Sequence, residues 1–394
     1  MSITKSLEEQ VLLDEAMANT GLSDFGDDGF REGLGVLLGA LEAEANLNEF
    51  GRAFAHDVIL RHLENRLRVT ADLESHPEIL DEKIEKPLLV ASLPRTGSTI
   101  MHHLLGQDSD TRYLATWECN LLSPPPEAAT YESDPRIAEW EQVIFGSHGS
   151  EAPDFEILHP MGAALPEEHV ALLGFDFRSQ VFNYQFNVPS YQLWLDEQNL
   201  RPVYESFLRL LKYLQWHCRR KRWVVKTIDL HGLSEFLTLC PDAQVVMTHR
   251  DPLRAIASLA SLLTTGLHMT SDSVDDAAVG RHHADIWVGA LRKALDFRDS
   301  GVVPETSFFD VHYDEFVKDP VDMIRRIYAY FGLDFTPVVE QRMRDFLASN
   351  PKDKLGAHRY TAQQFGLDPV EIKERYQFYI DRFGVECSFD LPER

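Results

Sequence analysis

The chain has 394 residues, of which 44% are hydrophobic and 26% are charged, and its formal net charge at pH 7 is −25. This composition is typical of a soluble globular protein with room for one large domain and a helical appendage. So acidic a surface argues against nucleic acid as a partner. An anionic ligand would therefore need a local basic pocket.

The cysteines and the hydropathy pattern predict the cellular compartment of the protein. Cys119, Cys218, Cys240 and Cys387 are far apart and form no CxxC pair, which favours reduced thiols over a disulfide framework or a zinc site. No stretch is apolar over a length that would span a bilayer, and the acidic start is unlike a signal peptide. We expect a cytoplasmic protein without a transmembrane segment.

The chain divides into two regions by its hydrophobic periodicity. Residues 1–86 are acidic, and their apolar residues recur at three- to four-residue spacing, as at Leu34, Leu37, Leu38 and Leu41. This pattern predicts a helical cap that packs on the remainder, residues 87–394.

Short β-branched or apolar runs alternate with helical patterns from Pro87 onward. This alternation predicts an α/β fold with a central parallel sheet, whose ligands lie beyond the carboxyl ends of the strands. The predicted strands are Leu88–Leu93, Trp223–Lys226, Gln244–Thr248 and Ser307–His312.

The first motif, PRTGST at Pro94–Thr99, follows the first predicted strand and precedes a helical pattern. Such a turn presents helix-terminal N–H groups to a phosphate or sulfate. Gly97 permits close approach, Ser98 and Thr99 add hydroxyl groups, and Arg95 adds a planar cation. The GxxxxGK[ST] pattern of ATP- and GTP-binding loops is absent from the sequence, which indicates an anion loop of another family.

A second anion signal follows the strand that ends at Thr248. Arg250 lies at the strand end, and Asp251 and Pro252 begin a helix that carries Ser258 two turns on. The arginine and the serine can converge on one phosphate. The alternative is that Arg250 forms a salt bridge and Ser258 only packs.

Both motifs together resemble the sulfotransferase family, which uses 3′-phosphoadenosine 5′-phosphosulfate (PAPS) as the sulfuryl donor. The resemblance is to the bacterial branch, and it continues through further segments in the family's order. These are Trp117, Glu118 and Pro124–Pro126, then Val311–Phe335, and then Leu355–Leu367.

The resemblance implies a P-loop-type three-layer sandwich, PAPS as co-substrate and no metal. It also assigns donor-binding positions: Arg95, Thr96, Gly97, Ser98, Thr99, Arg250, Ser258 and Tyr313. Lys354 and Arg359 belong to a local basic group with Lys352 and His358, for which we expect a lid over the donor's phosphates. A solvated loop is the alternative for this group.

Sulfuryl transfer is an in-line displacement that needs cations at the sulfonate and a base at the acceptor. Arg95 and Lys226 match the family's cations, with a solvated strand-end lysine as the alternative for Lys226. Glu118 and His231 are the candidates for the base, and we favour Glu118. Otherwise Glu118 would cap a helix or pair with Arg112, and His231 would bond to the backbone.

The acceptor is a small molecule that the sequence does not name. An aromatic run is expected in the core, or else around an apolar or aromatic acceptor: Phe175, Phe177, Phe182, Tyr184, Phe186, Tyr191 and Trp194. For Glu167, Glu168 and His169 we expect solvent exposure, with acceptor contact as the alternative.

Two other functional classes remain open at this point. One is a nucleotide-dependent small-molecule kinase or phosphohydrolase on a related sheet, which would depend on Mg²⁺. The other is an anion-binding protein on the same fold that binds nucleotide and transfers nothing. The oligomeric state is not predicted.

Overall fold

A parallel sheet of five strands forms the centre of the computed structural model, which describes residues 5–148, 160–351 and 360–388. The strand order is β2-β3-β1-β4-β5, and every pairing is parallel. The strands are β1 Leu88–Ser92, β2 Thr111–Arg112, β3 Arg222–Thr227, β4 Gln244–His249 and β5 Phe308–His312. The four predicted strands are confirmed. The two-residue β2 is too short to leave a periodic pattern in the sequence.

Side-chain alternation along the strands divides the interior into two cores, one on each face of the sheet. In β1, Leu88 and Val90 pack against the helices on one face, whereas Leu89 and Ala91 pack on the other. A sheet covered on both faces is the α/β three-layer sandwich that the sequence predicts. Both faces of β1 are buried because it lies at the middle of the sheet.

Helices connect the strands and surround them. In chain order they are α1 Glu9–Thr20, α2 Phe30–Ala43, α3 Glu49–Ser75, α4 Ser98–Leu105, α5 Thr116–Asn120, α6 Pro135–His148, α7 Val170–Leu173, α8 Val181–Gln185, α9 Pro189–Asp196, α10 Arg201–Gln215, α11 Leu233–Leu239, α12 Pro252–Thr270, α13 Asp276–Asp299, α14 Tyr313–Phe316, α15 Pro320–Phe331, α16 Pro337–Ser349, α17 Pro369–Arg375 and α18 Gln377–Phe383. None of those within the described ranges is long and apolar enough to cross a membrane.

The amino-terminal helices share their core with the region that follows. Leu34 of α2 and Leu63 of α3 belong to the same hydrophobic cluster as Leu89 of β1 and Leu211 of α10. Asn48 caps α3 by accepting a hydrogen bond from the Gly51 N–H at 2.7 Å. The helices α1, α2 and α3 therefore pack directly against the helices that cover the sheet.

The aromatic run after Phe175 lies in this core. Phe177, Phe182, Phe186 and Tyr191 are all fully buried and pack with the amino-terminal helices. Of the two locations that the sequence allowed for these four rings, the structure shows the core. Rings this deeply buried do not line an acceptor pocket. Tyr184 is only half-buried.

Candidate active site

The loop between β1 and α4 carries the PRTGST motif at the carboxyl end of the central strand. Arg95 and Gly97 both have positive φ angles, 64° and 88°. At Gly97 a Cβ atom would lie 3.1 Å from a ring carbon of Tyr313. A glycine is therefore required both by the backbone conformation and by the ring against it.

The Thr96 side chain holds this loop on the sheet. Its hydroxyl donates to the Leu93 carbonyl at 2.7 Å and lies 2.6 Å from the Thr248 hydroxyl of β4. Thr96 is fully buried. The Thr96 hydroxyl is therefore engaged in holding the loop, and Thr96 stays a predicted donor-binding position.

Helix α4 begins at Ser98, directly after the left-handed Gly97. The N–H groups of a first helical turn have no acceptor within their own helix, and the helix dipole favours a negative charge there. Ser98 is buried, and the Thr99 hydroxyl accepts a hydrogen bond from Lys226 at 2.8 Å. The loop thus has the geometry of a cradle for a phosphate or sulfate group.

Two arginines and a serine converge beside this cradle. Arg95 Nε donates to Ser258 Oγ at 3.1 Å, and Arg250 Nη1 donates to the Arg95 carbonyl at 2.7 Å. The Arg250 guanidinium lies over the Tyr313 ring, 4.1 Å from its centroid. The predicted pair of Arg250 and Ser258 is therefore brought together with Arg95 and Tyr313.

The electrostatics of this group favour an anion. Burial lowers the pKa of Arg95, and the neighbouring charge of Arg250 lowers it further. Two cations held side by side in a partly desolvated place repel each other, and an anion between them relieves the repulsion. Helix α12 begins here, capped by Asp251, which accepts from the Leu253 N–H at 2.9 Å as the sequence predicts.

Lys226 is the next-to-last residue of β3, lies next to the cradle, and is buried rather than solvated. Its ammonium group donates to Thr99 and forms an ion pair with Glu168. The backbone fixes this pair, because the His169 N–H donates to the Lys226 carbonyl at 3.1 Å. A cation and a carboxylate therefore lie together at the edge of the anion loop.

Behind Glu168, two neighbouring residues are buried more deeply than the sequence suggested. Burial and the charge of Glu168 raise the pKa of Glu167 to about 7. His169 is fully buried against Tyr204, whose hydroxyl lies 3.0 Å from Nε2 and donates to Asp229 at 2.8 Å. The expectation that residues 167–169 are solvent-exposed is wrong, because a bridge between Glu168 and Lys226 draws this segment onto the sheet.

Glu118 forms the ion pair with Arg112 that the sequence analysis gave as an alternative. It is fully buried, and both carboxylate oxygens pair with Arg112. The Ala115 N–H and the Tyr131 hydroxyl each donate to it at 3.0 Å. These partners occupy the carboxylate and hold α5 in position, and the role of Glu118 as a base stays a prediction.

His231 lies on the loop between β3 and α11, and Asp196 is the acidic group beside it. Nε2 of His231 is 3.7 Å from the Asp196 carboxylate, which is too far for a hydrogen bond. The alternative expected for His231 was a hydrogen bond to the backbone. Among the described residues, its Nε2 forms no such bond. Lys354 and Arg359, and with them Lys352 and His358, lie outside the described residues.

The sequence indicated Glu168 only as a possible acceptor contact and not as a candidate base. It lies in a stretch where prolines interrupt every periodic pattern, between Asp154 and Pro189. A weak signal was present: two adjacent glutamates are separated by one residue from the mostly buried helix α7, Val170–Leu173. Two adjacent carboxylates next to an apolar run must either pair with a cation or stay in contact with solvent.

These features define a sulfotransferase, and comparison with known proteins agrees. Residues 87–337 match the model of the sulfotransferase family, and the chain belongs to that family. It is therefore an enzyme that transfers sulfuryl groups.

Two mycobacterial sulfotransferases of known structure and one further mycobacterial enzyme are similar to it. Sulfotransferase STF9 from Mycobacterium avium is 28% identical, with 98% of this chain and 99% of that chain covered and a TM-score of 0.88. Sulfotransferase STF1 from Mycobacterium tuberculosis H37Rv is 31% identical, with 95% and 99% covered and a TM-score of 0.83. Omega-hydroxy-beta-dihydromenaquinone-9 sulfotransferase Stf3 from Mycobacterium bovis is 24% identical over 322 residues, which are 79% of this chain and 78% of that protein.

Proposed function

We propose that this enzyme transfers the sulfuryl group of PAPS to a hydroxyl group, or an amine, of a small-molecule acceptor. The observation that carries the proposal is the hydrogen bond from Arg250 to the Arg95 carbonyl, which joins two cationic sites. One site is the loop that ends at Gly97, and the other surrounds Ser258. A nucleotide with anionic groups on both the 3′ and the 5′ oxygen of its ribose, as PAPS has, matches two such sites side by side.

In this proposal the 3′-phosphate of the donor lies against Arg250 and Ser258, and the adenine lies near Tyr313. The loop from Thr96 to Thr99 holds the 5′-phosphosulfate through backbone N–H groups and hydroxyls. The close packing of the Tyr313 ring against Gly97 supports this arrangement, since it holds Tyr313 next to the loop. Lys354 and Arg359 stay predicted contacts of the same phosphates.

Bound PAPS supplies the sulfuryl group, and adenosine 3′,5′-bisphosphate is its leaving group. Lys226 and Arg95 are the cations for the charge that develops on the peripheral and bridging oxygens. Because Lys226 is buried and already bonded to Thr99, it needs little rearrangement to reach the loop. No metal is needed in this scheme.

We assign the base to Glu168, in place of Glu118 and His231. Its carboxylate is paired with Lys226 beside the loop, where an acceptor hydroxyl must approach the sulfur atom. Glu118 is less suited to this role because it is fully buried and four donors surround its carboxylate, whereas the Glu168 side chain is 16% exposed. The charged group beside His231 is Asp196, and not Lys226 or the anion loop. Glu168 takes the acceptor's proton, while Lys226 keeps the carboxylate oriented.

The hydroxyl group as acceptor is supported by one relative. The Stf3 protein is named for action on a hydroxylated molecule, omega-hydroxy-beta-dihydromenaquinone-9. We carry over only the functional group to this enzyme.

We also propose that the enzyme works in the cytoplasm. All four cysteines are free thiols, and three of them are buried. Free thiols are typical of a reducing compartment.

Calorimetry with the full-length protein in metal-free buffer tests the donor site. We expect adenosine 3′,5′-bisphosphate to bind at least tenfold more tightly than adenosine 5′-monophosphate. Arg250→Ala should weaken binding of the bisphosphate by about 2–3 kcal/mol, a loss of roughly 50-fold, because it removes a charge-assisted contact. Arg254→Ala is the matched control, since Arg254 lies in the same helix but pairs with Asp251.

Equal affinity for the two nucleotides would remove the 3′-phosphate site from the proposal. Binding of ATP with Mg²⁺ in preference to the bisphosphate would instead support the kinase or phosphohydrolase alternative. Tight bisphosphate binding without turnover of PAPS in the presence of acceptors would indicate an anion-binding protein that transfers nothing.

A further inference from the structure

Three helices and the loop after β3 bring a group of polar side chains together next to the candidate active site. We call this group the histidine cluster. It consists of His231 on the loop, His282 and His283 on α13, Gln192 and Asp196 on α9, and Tyr184 on α8. The His282 and His283 rings are 5.4 Å apart, and the rings of Tyr184 and His283 are 6.1 Å apart. Gln192 donates to Asp196 at 2.7 Å.

Several polar atoms of the cluster are buried without a hydrogen-bond partner among the described residues. They are Nε2 of His231, Nε2 of His282, Nδ1 of His283 and Oε1 of Gln192. His283 and Gln192 are almost completely buried, with exposed fractions of 2% and 1%. Buried polar groups in native proteins nearly always have partners, so four unpaired atoms in one cluster indicate a place that receives a polar ligand or water.

The histidine cluster lies near the Lys226–Glu168 ion pair. Tyr184 connects the two, because it interacts electrostatically with both Glu168 and Asp196. Its hydroxyl donates to Gln180 at 2.9 Å, and Gln180 reaches Asp229 on the loop that follows β3. An acceptor whose reacting group lies at Glu168 would therefore extend toward the histidine cluster.

The chemistry of the cluster distinguishes between classes of ligand. Burial lowers the pKa of His282, and lowers that of His283 to about 3, so both imidazoles are neutral at pH 7. A neutral imidazole offers one donor and one acceptor, and the amide of Gln192 offers both kinds as well. Asp196 adds a carboxylate, which repels anions. Groups of this kind match hydroxyls, each of which both donates and accepts.

We infer that the histidine cluster binds the acceptor, and that this acceptor is an uncharged polyhydroxylated molecule, such as a polyol or a glycoside. The inference rests on the proposed sulfuryl transfer at Glu168, and it names the substrate class of that same site. An apolar acceptor would leave the four unpaired atoms desolvated without partners, and an anionic one would face Asp196.

Saturation-transfer NMR on the full-length enzyme loaded with adenosine 3′,5′-bisphosphate tests the inference. Methyl β-glucoside and 1-hexanol serve as probes at equal millimolar concentrations. We expect transfer to the glucoside at least tenfold stronger than to the alcohol. His282→Leu should reduce the glucoside signal at least fivefold, whereas His268→Leu should leave it unchanged. His268 is the matched control because it is exposed on α12 and pairs with Asp276.

The bisphosphate affinity of each variant is measured in parallel, which shows that the protein is folded and that its donor site is intact. Failure to bind the bisphosphate would overturn the proposed function itself. With the bisphosphate bound, an absent glucoside signal, a stronger hexanol signal, or a glucoside signal indifferent to His282→Leu would each overturn this inference and leave the donor site standing.

Discussion

Lys226 and Glu168 form an ion pair at the carboxyl end of β3, although 58 residues separate them in the chain. A backbone bridge between the same two residues aligns their segments, so both side chains start from fixed positions. The lysine also donates to Thr99 in the anion loop. A proton acceptor and a cation are thereby held at the same edge of the cradle that we propose for the donor's sulfonate.

The ion pair leads to the first prediction, which concerns the base. Glu168→Gln should lower kcat at least 100-fold, because general-base catalysis contributes on the order of 10²–10⁴ in rate. Binding of adenosine 3′,5′-bisphosphate should change less than twofold. The rate of bisphosphate formation from PAPS with a hydroxylated acceptor is the measurement.

His231→Ala is the comparison for this experiment. In the arrangement proposed above it should raise KM for the acceptor and leave kcat within about threefold. If Glu168→Gln keeps full activity while His231→Ala is inactive, the base is His231 and the assignment to Glu168 is wrong.

Glu118 provides a prediction about stability rather than catalysis. Burial lowers the pKa of Arg112, but the charge of Glu118 more than offsets this and raises it. Glu118→Gln would leave Arg112 charged and buried without a counter-ion, so we expect a loss of about 3 kcal/mol in the free energy of unfolding. Urea denaturation measures it, with Glu127→Gln on the exposed loop as the control. An unchanged midpoint together with lost turnover would return Glu118 to the active site.

The sequence alone was sufficient to predict the sheet and the part of the candidate site around Arg250. Four strands, the cap at Asp251 and the convergence of Arg250 with Ser258 all depend on local patterns and on the rule that parallel strands end at one edge. Glu168 depends on a contact between distant segments, and no local periodicity encodes such a contact. The choice between two roles for Glu118 required knowing that Arg112 is buried with it.

The conformation of Gly97 leads to the third prediction. Gly97→Ala places a methyl group 3.1 Å from the Tyr313 ring at a φ of 88°. We expect a loss of about 1–2 kcal/mol in stability from the left-handed backbone alone. Affinity for adenosine 3′,5′-bisphosphate should fall at least tenfold because the loop must shift. Thermal unfolding and calorimetry measure the two effects.

Gly289→Ala is the control for that experiment. Gly289 lies inside helix α13, and a Cβ there would have no atom within 4 Å. This substitution should raise stability by up to about 1 kcal/mol through helix propensity and leave binding unchanged. If both alanine variants behave alike, close packing at Gly97 does not shape the loop.

The fourth prediction concerns pH and Glu167. Burial raises the pKa of Glu167 from 4.5 to about 7, so the folded protein holds this proton more tightly than the unfolded chain does. The resulting stability is fully present below pH 4.5 and is lost as the pH rises through about 7. Glu167→Gln, which does not titrate, should therefore gain stability relative to the wild type between pH 5 and pH 8. After allowance for the partial exposure of the side chain, we expect on the order of 1–2 kcal/mol.

Denaturation midpoints at the two pH values, for wild type and for Glu167→Gln, provide the measurement. Glu127→Gln corrects for the general effect of removing a negative charge from so acidic a protein. A stability difference that does not vary with pH would mean that Glu167 is ionised across the whole range.

The shared core has a consequence for how this fold can be recombined. Leu34 and Leu63 of the amino-terminal helices pack in one cluster with Leu89 of the central strand and Leu211 of α10. A fragment beginning at the sheet would carry the anion loop but expose the apolar surface that those helices cover, and it would aggregate before it could bind a nucleotide. The sheet with its anion loop therefore cannot be separated from the amino-terminal helices. New acceptor specificities in this architecture have to arise by substitution within an intact chain, and not by joining the sheet to a different amino-terminal region.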